Sequence, residues 1–448
     1  MKRDVKPGFE NHSREARKGG SDPTPDASAR EKDPRNGWIE AVRLTERWRR
    51  RRERVDSLLE QLTSGLVGRE RARAQHLFYG VVRWQSRIEA AMSGLFSRPP
   101  RPRLRALLDV MGFELWEADG ERAQVVHHAV EQAKKLTSAA EARLVNAVGR
   151  TMASRLAENP DELAERWAHP RWLVERWTGE FGPDVTSKLL EWNQTPAAVT
   201  LRWRDRTSGP PDFLRPAAWP AFYSVEPGHW DQIRELAERG AVYLQDPSTR
   251  LAPEMLRPGP GEMILDACAA PGGKSLLIAD ALAEGPSGKL VAIDTPGPRL
   301  DRLKANLAKA PSGVNVALLP ADLLTVNAVF FRKCNLPESY DAVLLDAPCS
   351  NTGVMRHRVD VKWRLQPDDF ARHAAQQFKL LRAAARWVRP GGRLVYSTCS
   401  IETEENESVI RRFFAAAPEW KLSEHRLAYP WIDGHDGAGV FLLTRGTK

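Results

Sequence analysis

From residue 241 onward, short β-rich apolar runs alternate with helical segments, and few folds satisfy such an alternation. Met263-Ile264-Leu265, 290–293, 314–318, 342–345 and 393–396 read as five strands, with helical patterns at 274–284, 297–309, 368–388 and 403–417. A helix that returns the chain to start each new strand in the same direction gives an α/β domain with a mostly parallel sheet covered on both faces. Ligands of such a sheet bind outside the carboxyl ends of its strands. Position alone then picks out Asp266, Asp294, Asp322, Asp346 and Cys399.

The chain has 448 residues, enough for two to four domains. Residues 36–156 repeat apolar positions with the helical period, as in Ala74, Leu77, Phe78, Val81, Val82 and Ile88, and predict an all-α domain of five to seven helices. The prolines at 99, 100 and 102 must break helix there. Residues 157–240 read as a mixed α/β middle region, with tryptophans 167, 172, 177 and 192 on helical patterns, a strand at 199–203 and a proline-rich loop at 207–220. Residues 1–35 hold almost no large apolar side chain and predict a disordered tail.

The net charge is +9, and segment counts place all of the excess in residues 1–155, with 31 Lys+Arg against 21 Asp+Glu. Its densest run, Arg47-Trp48-Arg49-Arg50-Arg51-Arg52-Glu53-Arg54, interrupts one apolar helical stripe of Leu44, Trp48, Val55, Leu58 and Leu62. We read Arg49, Arg50, Arg51 and Arg52 as nucleic-acid contacts, although a short charge run is more often a solvated face. The four cysteines, 268, 334, 349 and 399, form no CxxC pair, which excludes a disulfide scaffold and argues against structural zinc. With no long apolar run and no apolar leader, the expectation is a cytoplasmic, monomeric protein without membrane or metal.

The first strand of the α/β domain ends in a loop of small residues, Cys268-Ala269-Ala270-Pro271-Gly272-Gly273-Lys274, that lets a ligand approach the backbone. Asp294, at the next strand end, is placed for ribose hydroxyls, so a nucleoside-containing cofactor is implied. A phosphate-binding Walker loop needs glycine where Cys268 stands, and a dinucleotide fingerprint needs a GxGxxG that is not there. S-adenosylmethionine, a nucleoside without phosphate, suits the loop best.

Cys349 and Cys399 each follow a strand, and neighbouring strands lie about 4.8 Å apart, so if these two strands are neighbours both thiols can face one pocket. A lone cysteine after a strand is usually inert packing, whereas two at equivalent ends suggest chemistry. A thiolate that adds to carbon 6 of a pyrimidine makes carbon 5 nucleophilic toward a methyl sulfonium, and a carboxyl group such as Asp346 at N3 of cytosine stabilises the charge that develops. A second thiol could assist elimination.

These motifs carry a family resemblance. DACAAPGGKS at 266–275, DAPCSNTG at 346–353, YSTCS at 396–400, Gln245-Asp246-Pro247-Ser248 and the basic stretch 354–364 resemble the bacterial RsmB (Fmu/Sun) 16S rRNA cytosine-C5 methyltransferases, within the Nop2/Sun RNA methyltransferases. Residues 36–156 resemble the NusB-like RNA-binding domain of that branch, and the likeness extends over roughly residues 36–448. It implies Cys399 as nucleophile, Cys349 as the cysteine that promotes product release, and 268–274 as the cofactor loop. It also implies Asp294 as the ribose carboxylate, Asp322 as the adenine-side acid, and Asp346 as shared by cofactor and base. Arg356, Arg358, Lys362 and Arg364 beside the pocket are expected to touch RNA. The chain departs from the family at His435-Asp436-Gly437-Ala438, where paired phenylalanines are usual after Asp-Gly, and at Asn351, where glycine is common. Alternatives are a tRNA or other RNA substrate, a NusB-like RNA-binding protein without activity, and a P-loop NTPase.

Overall fold

Seven helices fill 37–155: α1 (Gly37–Arg51), α2 (Val55–Glu60), α3 (Gly68–Arg83), α4 (Gln85–Met92), α5 (Pro102–Glu117), α6 (Arg122–Leu136) and α7 (Ala139–Arg155). They belong to a computed structural model that describes residues 36–62, 66–118 and 120–447; the tail expected at 1–35 lies outside the described residues. The helix starts follow local chemistry. Asn36 accepts a hydrogen bond from the Trp38 N–H at 2.8 Å, Pro102 opens α5 after the proline break, and Ser138 and Glu141 form a capping box at α7.

The stripe read as one helix is two. Arg52 turns left-handed at φ 50° and its N–H closes on Trp48 O, which ends α1, and the chain restarts at Val55. The stripe still gathers in one core: Leu44, Trp48, Val55, Leu58 and Leu62 pack with Phe78 and Val82, and with Val359 from the far end of the chain.

Helices Leu163–Arg166, Arg171–Phe181 and Pro183–Gln194 bury Leu173, Trp177, Leu189 and Leu190 against Met355, Val361, Leu365, Phe370 and Ile401. This part of the middle region is therefore packed onto the α/β domain. A separate four-stranded antiparallel sheet follows, built from β1 (Thr200–Trp203), β2 (Leu214–Pro216), β3 (Phe222–Val225) and β4 (Val242–Leu244) in the order β2-β3-β1-β4. The proline-rich stretch read as a loop thus contributes an edge strand, β2, where proline is tolerated.

The large sheet contains β5 (Met263–Ala267), β6 (Lys289–Asp294), β7 (Asn315–Pro320), β8 (Tyr340–Asp346), β9 (Val388–Thr398), β10 (Trp420–Ala428) and β11 (Ala438–Arg445), ordered β10-β11-β9-β8-β5-β6-β7. The five strands read from the sequence run parallel; of the two beyond them, which the sequence reading did not list, β11 adds antiparallel to β9 and β10 antiparallel to β11. β5 and β8 are buried on both faces, as a sheet covered by helices on each side requires.

Candidate active site

From β5 the sheet grows outward through β6 and β7, and then the chain returns to β8 and β9 on the other side. Loops leaving β5 and β8 part there and open a crevice at the carboxyl ends. Asp294, Asp322, Asp346 and Cys399 all stand at that end of the sheet.

One wall is the loop 268–274. Gly272 sits at φ 105°, and a Cβ there would come within 3.0 Å of Leu303 and 3.3 Å of Asn306, so only glycine fits the turn. Asp294 fastens the loop: its Oδ2 accepts from Ala270 N–H at 2.7 Å, while among the described residues Oδ1 meets only Thr295 Oγ1 at 3.3 Å. Asp322 is half-buried and accepts from Leu324 N–H at 2.9 Å. Asp266 lies deeper than strand position suggested. It is fully buried, takes a hydrogen bond from Ser275 Oγ at 2.5 Å, and burial pushes its carboxyl up to about 7.

Lys274 points away from any phosphate role. Its Nζ is 2.6 Å from Asp346 Oδ1, and this pairing more than offsets burial and holds the ammonium above its usual range. The crevice thus offers acids and main chain for a nucleoside, and its one lysine is already neutralised by a carboxylate.

Across the crevice, Asp346 lies opposite Ser397 in the β8–β9 ladder, which brings the two following loops together. Cys349 Sγ and Cys399 Sγ are 3.1 Å apart. The contact between the two thiols, ahead of burial, raises the Cys349 thiol pKa and lowers that of Cys399. Arg358 and Lys274 add to the lowering at Cys399, against burial and Asp346.

Two residues the sequence reading passed over hold this pair. Asn351 takes the left-handed conformation (φ 64°), donates through Nδ2 to Cys349 O at 2.8 Å, and accepts from Cys399 Sγ at 3.3 Å. Its only signal was that it replaces a glycine, the other residue that adopts this conformation readily. Glu405 is fully buried; it accepts from Ser350 N–H (2.9 Å), Gln377 Nε2 (2.8 Å) and Ser400 Oγ (2.8 Å), and so ties the two cysteine loops together. Nothing in a helical pattern marks such an acid. The altered C-terminal motif packs under the same loop. Gly437 N–H bonds Gly353 O at 2.8 Å, and a Cβ on Gly353 would come within 2.7 Å of Gly437 O. Beside it Asp436 is buried and pushed up to about 8, and His357 Nε2 stands 3.7 Å from both Asp436 and Asp246.

Residues 253–435 match the family 16S rRNA methyltransferase RsmB/F, and residues 39–154 match the NusB family. A relative from Vibrio cholerae, ribosomal RNA small subunit methyltransferase B, is 32% identical over 79% of this chain and 83% of its own. The chain belongs to the RsmB/F methyltransferase family. A probable ribosomal RNA small subunit methyltransferase B from Bacillus subtilis is 30% identical over 80% of this chain and 82% of its own. The crystal structure of PH0851 superimposes with a TM-score of 0.73 at 25% identity, covering 91% of this chain and 98% of that one. The family's cofactor is S-adenosylmethionine. The residues fit it: Asp294 Oδ1 is left for a ribose, Asp322 stands at the neighbouring strand end, and the lysine of the loop is not free for a phosphate.

The expected RNA contacts divide. Arg50 and Arg51 project into solvent, with side chains 63% and 72% exposed. Arg49 does not: it forks onto Asp109, which is fully buried, and Glu89 at 3.0 Å. Arg52 stacks on Trp48 and donates to Gln85 Oε1. Arg356 stacks on Trp192 and donates to Thr195 O and Pro196 O. Lys362 is buried and donates to Arg83 O at 2.9 Å. Arg49 and Lys362 are corrected from RNA contacts to structural cations, because their charged ends are held inside the protein, whereas Arg52 stays exposed and Arg356 half-buried, each with only part of its guanidinium tied to the protein. Arg358 and Arg364 line a cavity beside Cys349. Among the described residues no helix is long and apolar enough to cross a membrane.

Proposed function

We propose that the protein methylates carbon 5 of a cytosine in 16S rRNA through a covalent adduct between Cys399 and carbon 6 of the base. The observation that carries the reading is the pair of thiols 3.1 Å apart, with Asp346 and Lys274 at the same strand ends. Bound S-adenosylmethionine supplies an electrophilic methyl group. The Cys399 thiolate adds to carbon 6, and the electron pair of the 5,6 double bond moves to carbon 5, which takes the methyl. Asp346 faces the N3 side of the ring, where charge develops; its Oδ1 receives Lys274, so a proton from the Lys274 ammonium can pass through the carboxyl group to N3 from Oδ2, which has no hydrogen-bond partner among the described residues. A base then removes the carbon 5 proton, the double bond reforms and the carbon–sulfur bond breaks. Cys349, whose sulfur lies 3.1 Å from Cys399 Sγ, returns a proton to the departing sulfur.

Cys399→Ala should abolish both methyl transfer and adduct formation. Cys349→Ala should retain the first half of the reaction and accumulate an RNA–protein adduct visible on a denaturing gel. The reverse pattern would exchange the two roles, and no methyl incorporation into bare 16S rRNA by the unaltered protein would sink the reading. Mapping the product as 5-methylcytidine, and repeating the assay on tRNA, settles atom and substrate.

A further inference from the structure

A cavity of about 240 Å³ lies between the helical domain and the catalytic loop. Arg54, the residue before α2, lines it together with Cys349, Asn351, Arg358 and Arg364. The first of these comes from the other end of the chain, yet its place is fixed. Val359 is buried in the core of the helical domain, Trp363 Nε1 donates to Val82 O at 2.7 Å, and Arg83 donates to Arg356 O at 3.0 Å.

The charges in this cavity are unusually placed. Of its acids, Asp360 pairs with Arg364 at 3.2 Å and Asp369 pairs with Arg372, which leaves Asp56. Neither Arg54 nor Arg358 has a carboxylate within ion-pair distance among the described residues. The Arg54 pKa is lowered by burial and then by Arg364, Arg358 and Arg299, against an opposing pull from Asp360. Arg54 and Arg358 thus line one cavity without a carboxylate at ion-pair distance among the described residues, and an anion between them would complete both. The cofactor's one anionic group is its carboxylate, and no residue of the loop 268–274 lines this cavity, so the anion belongs to the other substrate.

We propose that Arg54, with Arg358 and Arg364, binds a backbone phosphate of the substrate RNA next to the target base, so that the helical domain completes the catalytic pocket. This rests on the RNA reading above. It gives the domain a second task beyond tethering: a phosphate contact positions the chain without reading its sequence, and here it would do so beside Cys349.

The test uses the full chain and two probes. Inorganic phosphate should raise the melting temperature of the unaltered protein, and raise it less in Arg54→Gln and in Arg358→Gln. A labelled 16S rRNA fragment should bind Arg54→Gln about tenfold more weakly, with the slope of log affinity against log salt reduced by about one. Arg54→Lys should recover part of the affinity. Without ligand, Arg54→Gln should melt no lower than the unaltered protein, since it relieves repulsion; a purely structural arginine would lower it. Equal phosphate shifts and an unchanged salt slope would overturn the proposal even where 5-methylcytidine forms. Loss of carbon 5 chemistry with the phosphate shift intact would overturn the reaction and leave this pocket standing.

Discussion

Two basic stretches, 47–54 and 356–364, look alike as strings of charge, and the fold uses them differently. In the first, the inward cation meets an acid of its own domain: Arg49 forks onto the fully buried Asp109. In the second, inward cations meet neutral carbonyls across a domain boundary: Lys362 on Arg83 O, and Arg356 on Thr195 O and Pro196 O. Arg49 holds one domain together by charge; Lys362 and Arg356 hold segments together by capping acceptors. Charge density along a sequence thus does not show which cations are free. In both stretches the proposed RNA contacts are cations outside these inward bonds: Arg50, Arg51 and Arg54 in one, Arg358 and Arg364 in the other.

The largest effect expected from this contrast is at Arg49. Arg49→Met leaves Asp109 buried with only Arg105, 3.1 Å away, to pair with it. Breaking a buried pair by removing one partner costs about 3–5 kcal/mol, and replacing both partners by apolar residues costs far less. Denaturant unfolding of Arg49→Met should show that loss, and Arg49→Met with Asp109→Leu should recover much of it. RNA affinity per folded molecule should not change. A stable single variant with weakened RNA binding would return Arg49 to the RNA surface.

How far the sequence disclosed this depends on the kind of signal. Periodicity found the five parallel strands and the helical domain because burial on a face repeats along the chain. Strand ends found Asp294, Asp322, Asp346 and Cys399 because topology gathers them. It placed Asp266 among them too, and the extra depth of that residue, under Ser275, depends on a side-chain contact no spacing reports. The left-handed break at Arg52 was masked because the apolar stripe continues across it. Asn351, Glu405 and Arg54 were missed for a common reason. Their roles arise from contacts between loops far apart in sequence, such as Glu405 with Ser350 and Arg54 with the cavity at Cys349.

A second, smaller effect separates the stretches by pH. Burial, followed by the nearby Arg83, pushes the Lys362 ammonium well below its ordinary value. The folded protein therefore binds fewer protons here than the unfolded chain, and stability rises with pH up to the unfolded lysine value of about 10.4. Its contribution is fully present above that value and is lost as pH falls toward the depressed one. Lys362→Met removes this dependence while forfeiting a hydrogen bond of about 0.5–1.5 kcal/mol. Melting curves from about pH 6 to 9 should show the variant gaining on the unaltered protein as pH falls; parallel curves would mean the ammonium is solvated after all.

The smallest effect belongs to the exposed cations. Arg50 has only a surface pair with Glu46, at 2.9 Å, and Arg51 reaches Glu53 at 3.8 Å. Pairs so exposed contribute about 0–1 kcal/mol, so Arg50→Ala and Arg51→Ala should leave melting almost unchanged. If these side chains meet RNA, each substitution should lower the salt slope by about one and weaken binding evenly across sequences. Arg54→Gln, beside the thiols, should also slow methyl transfer at saturating RNA, because it displaces the strand at the reacting base. A loss of turnover at saturating RNA from Arg50→Ala as large as that from Arg54→Gln would erase the distinction between tethering the RNA and placing its target.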